Sequence, residues 1–311
     1  MAFNVTGLTN YTNEQSTELV IKSIFGGKTA ALLQAAGQVQ VGIKTAEALN
    51  ILSSDVYIQA DGCGYSPSGT TTFSQRNISV AAMKVEETLC PKKLEEKWMQ
   101  TQIAPGSAKD IPFEAQIGEE KAAKIAKALE IAVWQGDTAT GNTNPNTNRF
   151  DGFIKIIDAA SATTITGNSS SATAITVANV EGLIDDMYNL IPADIADAED
   201  LTLFVGMDTF KKYTTALRNA NLFHYAVEAA NMEMVIPATN VKMVAVGGLN
   251  GTNRMFLARL SNMYIGTDLL NEFENYEIFY SRDNDEVRFR AAIKMGVQFA
   301  FADQIIRFKL A

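Results

Sequence analysis

From Val287 to Phe301 every odd position is apolar, through Phe289, Ala291, Ile293, Met295, Val297 and Phe299, while Arg288, Arg290, Lys294 and Gln298 fall on even positions. That alternation has period two and predicts a strand with one dry face and one wet face. At about 3.3 Å per residue it would reach roughly 50 Å. An ordinary strand runs about 3–10 residues, so this one is expected to be unusually long or to bend at Gly296. The apolar run before the charged turn RDNDE (282–286) predicts its hairpin partner.

A different period governs residues 115–135. Ala122, Ile125, Ala126, Leu129, Ala132 and Val133 recur at the 3, 4, 7 spacing of a helix stripe. Glu119 and Glu120 suit its N-terminal dipole, Glu120 pairs with Lys124 at i, i+4, and Gly136 with Asp137 ends it. Such a rod is about 30 Å long. Upstream, ILSSDVYIQA (51–60) and FSQRNISVAAMKVEETL (73–89) predict two strands around the Gly/Ser/Thr-rich tip DGCGYSPSGTTT, with Ile78, Val80 and Ala82 on one face. An isolated two-stranded hairpin is marginal in water, so this one is expected to lie on another surface.

Residues 14–25 predict a short helix ending at Gly26–Gly27, CPKKLEEKWMQ (90–100) a second with Pro91 in its first turn, and DGFIKIID (151–158) a strand. The stretch KTAALLQAAGQVQVGIKTAEAL is rich in small residues and reads as an arm seeking a partner surface. Residues 137–150 and 159–174 are polar and low in complexity, and read as loops. After 175 helices and strands alternate. The helix VEGLIDDMYNLIP precedes the strand LTLFVGM, a second helix TFKKYTTALRNAN is expected to be capped by Asp208, and VKMVAVGGL, RMFLARL and NMYIGTDL are strands. That is an α/β module of roughly ninety residues in a chain of α+β class.

The chain has 311 residues, 47% of them hydrophobic and 20% charged, enough for a real core. No apolar run approaches the roughly 18 residues of a membrane span, and the start MAFNVTGLTNYTNEQ lacks the basic and apolar regions of a secretory signal. The net charge of −9 argues against gripping nucleic acid as the main task, since phosphate binding calls for a basic surplus. Cys63 and Cys90 are not a disulfide framework. The hairpin places one near its tip and the other near its base, so two free thiols are expected.

Candidate chemistry is sparse. FGGKT (25–29) lacks the Gly of a phosphate loop, because the required position is Lys22, and it reads as a helix-ending turn. The acidic runs 194–200 and 282–286 lack the spacing and distal Glu of a calcium loop. The single histidine, His224, has no Cys or Asp at metal spacing, and one histidine removes most common acid–base designs. No catalytic, cofactor-binding or metal-binding residue is assigned.

The order of parts is distinctive: arm, long hairpin, long amphipathic helix, small sheet, α/β module, and a return by one long strand. It resembles the major capsid proteins of tailed bacteriophages, the Hong Kong 97-type fold that encapsulin shells share. LTLFVGMDTFKKYTTALRNAN is similar to the axial-domain segment of that family, and NMYIGTDLLNEF with the final hairpin is similar to its closing peripheral strands. The resemblance implies an N-terminal arm over 1–50 and an extended hairpin loop over 51–89. It implies a peripheral domain over 90–177 with a spine helix at 115–135, an axial domain over 178–265, and a return to the peripheral domain over 266–311. It further implies self-assembly through pentamers and hexamers into an icosahedral shell that encloses double-stranded DNA without sequence-specific binding. Portal, scaffold and decoration proteins are the implied partners, with no membrane, and the implied place is the virion capsid, assembled in a bacterial cytoplasm. An encapsulin compartment is the alternative reading, and a soluble enzyme a third. No Lys–Asn crosslink is assigned.

Overall fold

The computed structural model describes residues 27–65, 67–89, 113–168, 170–220, 230–268, 277–281, 284 and 286–311. The predicted helices at 14–25 and 90–100, and His224 and Cys90, lie outside the described residues.

The long strand forms as its alternation dictates. It spans Glu286–Phe299, 14 residues, or about 46 Å of extended chain. Phe289, Ala291, Ile293, Met295, Val297 and Phe299 are all buried. Here it is β12, and it organises a five-stranded sheet in the order β1-β10-β12-β11, with β4 on the other edge of β12. The partners are β1 (Val39–Gln40), β4 (Ala81–Leu89), β10 (Met263–Thr267) and β11 (Glu277–Ser281). The strand does not break at Gly296, since Met295 pairs with both Ala81 and Thr267 and the pairing continues through Gly296↔Gly266 to Phe299↔Met263.

A six-stranded sheet carries the α/β module. Its order is β5 (Ile165–Thr166), β13 (Ile306–Phe308), β9 (Met255–Arg259), β6 (Leu201–Gly206), β8 (Lys242–Val246) and β7 (Glu233–Val235). Both faces are covered, which is why every residue of β6 is buried and the run is almost wholly apolar, Thr202 excepted. Leu203, Met243 and Leu257 pack with the helices α4 (Val180–Asn189) and α5 (Met207–Asn219). Phe204, Val244 and Phe256 face the opposite way into a core shared with β12, α2 (Phe113–Gln135) and α3 (Phe153–Ala159). Trp134 at the end of α2 centres that core, with ring centroids 5.1 Å from Phe204, 5.4 Å from Phe153 and 5.6 Å from Phe256. Every predicted stripe position of α2 is buried: Ala122, Ile125, Ala126, Leu129, Ala132 and Val133.

Several expectations are corrected. DGFIKIID contributes the helix α3, not a strand. Its apolar residues at 153, 154, 156 and 157 fit one helical face, and the Gly152 amide donates to the Gly136 carbonyl at 2.9 Å, fixing α3 against the end of α2. The supposed arm after residue 27 is part of the body: α1 (Lys28–Ala35) buries Thr29, Ala30 and Leu33. Asp208 does not cap α5. Gly206 holds the cap position, and Asp208 lies in the first turn, where its carboxylate accepts the Gly251 amide at 3.2 Å. β10 (Met263–Thr267) joins the sheet of β12, and β13 (Ile306–Phe308) joins the six-stranded sheet.

Candidate assembly interface

The hairpin is a separate ribbon. β2 (Ala46–Asp55) and β3 (Thr70–Ser79) pair antiparallel over ten residues each, from Ala46↔Ser79 to Asp55↔Thr70. The expected second strand, 73–89, is two strands. Val80 divides them and flips the buried face from even positions (Ile78) to odd ones (Ala81, Met83, Val85). A one-residue slip of this kind moves every following side chain to the other face. β4 thereby leaves the ribbon and pairs with β12 over nine positions, Val287↔Leu89 to Met295↔Ala81.

Only the base of the ribbon is anchored. Ile43, Leu49 and Ile78 form a small core of their own against Val80 and Tyr264. The Gln298 amide donates to the Asn77 carbonyl at 2.9 Å, and the Arg76 guanidinium sits 4.4 Å from the Phe299 ring centroid. Lys44 and Lys294 both pair with the buried Asp268 carboxylate, at 3.1 and 2.9 Å. Burial alone would raise that carboxyl, but the two lysines outweigh it and hold the Asp268 pKa below its ordinary value. The crossing needs two glycines directly opposite each other. A Cβ on Gly296 would stand 2.8 Å from the Ser79 carbonyl carbon, and one on Gly266 2.7 Å from Ile78 Cγ2.

Beyond the base the ribbon is open to solvent and carries large apolar side chains exposed among Ser, Thr and Asp. Leu52 and Phe73 face each other across the strands, and Phe73 is 80% exposed. Towards the tip Val56, Tyr57, Tyr65 and Ile58 are exposed, Ile58 at 99%. Covering a Leu, Ile, Val or Phe is worth about 1.5–3 kcal/mol each. The ribbon therefore carries a strong drive towards a covering surface. Cys63, the free thiol singled out in the tip, is exposed there.

A second feature lies under the body. Glu130 of α2 is buried, and its carboxylate accepts the Thr29 amide at 3.1 Å and the Thr29 hydroxyl at 2.6 Å. The Thr29 hydroxyl in turn accepts the Trp134 indole N–H at 2.7 Å. Burial raises the Glu130 pKa above its ordinary 4.5, opposed by the two Thr29 bonds and by Lys28. A carboxyl raised on folding contributes stability that is complete at low pH and is lost as pH climbs through its folded value. Unfolding midpoints should therefore shift in favour of Glu130→Gln, relative to the parent chain, as pH rises above 4.5. A gap between the two chains that stays constant with pH would contradict the assignment.

Charged residues along α2 and in the acidic run make ordinary contacts. Lys124 pairs with Glu120 at 2.6 Å, and Lys121 pairs with Glu87. In the acidic run 194–200, Asp200 accepts the Arg259 Nε–H at 2.9 Å and the Ser261 amide at 3.1 Å. A cleft of about 390 Å³ beside the end of α2 is lined by Asp137, Lys155, Asp158 and Arg254 among others. Its charges are committed to one another. Asp158 is held by Arg254 at 2.6 Å and Arg307 at 3.0 Å, and Lys155 pairs with Asp137 at 2.7 Å. Among the described residues no cluster of His, Cys, Asp and Glu has a metal-binding arrangement, and no helix is long and apolar enough to cross a membrane.

Glu130 and Gly266 escaped the sequence reading. A glutamate in a helix dense with Glu and Lys reads as solvated, and Gly266 gains its meaning only from standing opposite Gly296.

Comparison of the sequence with family models and with curated proteins finds no match. Comparison of the fold with solved structures finds capsids. A chain of the satellite phage P4 procapsid, a structure that includes the size determination (Sid) protein, superposes with TM-score 0.56 at 12% identity, covering 98% of each chain. The capsid of Myoviridae phage XM1 gives TM-score 0.57 at 13% identity, covering 90% of this chain and 92% of that one. The virus-like particle from Pyrococcus furiosus gives 0.53 at 10%, covering 96% and 99%. The chain thus has the α+β capsid fold of the Hong Kong 97 type, in which β2 and β3 form a ribbon of their own.

Proposed function

We propose that this chain is the structural subunit of a bacteriophage capsid, which self-assembles through pentamers and hexamers into an icosahedral shell enclosing double-stranded DNA. The observation that carries the reading is the projecting ribbon, whose exposed apolar face calls for a neighbour to cover it. In this reading the extended loop, the peripheral domain and the axial module around β6 and α5 each meet other copies. The axial module serves the five-fold and six-fold axes, and portal, scaffold and decoration proteins complete the virion. With −9 per subunit the wall confines the genome and does not bind it, since repulsion between exposed like charges fades over a Debye length of about 8 Å at physiological salt.

An encapsulin-type compartment is the second reading, to which the fold match with the Pyrococcus furiosus virus-like particle lends support. Purified particles treated with nuclease separate the two. Protected double-stranded DNA supports the phage shell, and particles that hold protein but no DNA support the compartment.

A further inference from the structure

Gly27–Thr29, the described part of a run without the spacing of a phosphate loop, is engaged inside the fold. Gly27 passes so close to Glu130 that a Cβ there would stand 2.6 Å from Oε2. Thr29 presents its amide and hydroxyl to the Glu130 carboxylate and receives the Trp134 N–H, which fastens α1 to α2. The Glu130 carboxylate does the work of a cap, because α1 has only Gly27 at its N-cap position and no capping side chain of its own. Lys28 points the other way. Its Nζ donates to the carbonyl oxygens of Asn231 at 2.7 Å and Met232 at 3.3 Å, and pairs with Glu233 at 3.4 Å. Glu233 pairs in turn with Lys242 of β8 at 2.5 Å.

The turn that Lys28 holds is strained. Asn231 and Met232 have φ of 55° and 59°, two successive left-handed residues without a glycine, a backbone that a methionine rarely adopts. Such a turn persists only when its surroundings hold it. Lys28 supplies a donor to both of its carbonyl groups from a point more than 200 residues earlier in the chain.

We propose that Gly27–Thr29 is a clasp that couples three elements: the point where the N-terminal residues join the body, the spine helix α2, and the strained turn Ala230–Met232. One short segment makes all the contacts, and Lys28 and Thr29 are adjacent in the first turn of α1. Lys28 and Thr29 share the backbone of the first turn of α1, so a backbone shift that unseats one moves the other. The three elements therefore loosen together, whatever assembly the chain enters. Sites that share a two-state element in this way are reciprocally coupled.

Hydrogen exchange on the full-length protein tests the coupling. Lys28→Met removes the hold on the turn and leaves Thr29 intact, and Thr29→Val removes the hydroxyl's bonds to Glu130 and Trp134 and leaves the Thr29 amide and Lys28 intact. Each variant is expected to raise exchange about five-fold or more in both 230–235 and 28–35, with the β2–β3 ribbon unchanged. Lys28→Arg, which keeps charge and donors, is expected to restore protection in both segments. Should Thr29→Val fail to fold, the Lys28→Met and Lys28→Arg pair decides alone. If Lys28→Met loosens only 230–235 and leaves 28–35 protected, the clasp is overturned.

Discussion

Replacing Gly296 with valine is expected to unseat the hairpin. Overpacking a core with extra methylenes costs about 1–3 kcal/mol. At Gly296 the obstacle is backbone, with the Ser79 carbonyl carbon at 2.8 Å and Val80 Cα at 3.1 Å from a Cβ, so no rotamer change relieves it. Either β12 moves away from β10, opening the Gly296↔Gly266 pairing, or the ribbon base lifts and gives up the Ile43–Leu49–Ile78 core and the Gln298–Asn77 bond. Chemical denaturation should show a loss above the usual overpacking range, and exchange should rise first over 77–83. A Gly296→Val chain that unfolds like its parent would show that the crossing is looser than the distances imply.

The same crossing shows what was legible in the sequence. β12 was readable because one of its faces is wholly dry and the other polar, and α2 because its stripe faces a single core. Gly296 is visible in the sequence as an interruption that leaves an unusually long strand or a bend open. Its role depends on Ser79, more than 200 residues earlier, and on Gly266 in the neighbouring strand. The boundary at Val80 was hidden because β3 and β4 are contiguous in sequence and both extended. They differ only in which sheet they join, and therefore in which parity faces inward. DGFIKIID misled because a run of seven or eight residues with four apolar ones satisfies either period, and the Gly136–Gly152 contact that decides it is tertiary. α1 was read as an arm because its small residues show weak periodicity, and its burial is supplied by α2 and Trp134. The ribbon was legible as a hairpin that needs a partner. Which of its residues carry the apolar face became clear only from the Leu52↔Phe73 register.

That pair supports the second prediction. The double substitution Leu52→Lys with Phe73→Glu keeps a complementary cross-strand pair, so the ribbon itself should persist. Both side chains are exposed in the lone subunit, and surface changes of this kind usually alter stability by no more than about 0.5 kcal/mol. Melting and far-ultraviolet dichroism should therefore match the parent. Assembly should not. Two large apolar side chains contribute about 3–6 kcal/mol per covered ribbon at ~1.5–3 kcal/mol each, and that contribution recurs at every subunit of a shell. The expected outcome is a well-folded protein that no longer forms particles. Particles of normal yield would mean that the apolar face is not a subunit contact.

Velocity sedimentation of the purified parent chain, with electron microscopy of its fastest fraction, tests the shell reading most directly. A subunit whose ribbon needs a neighbour should sediment as pentamers, hexamers or closed isometric particles, with a total interface area above the roughly 2,000 Å² at which permanent interfaces begin. A single stable monomer across a wide range of concentration would contradict it.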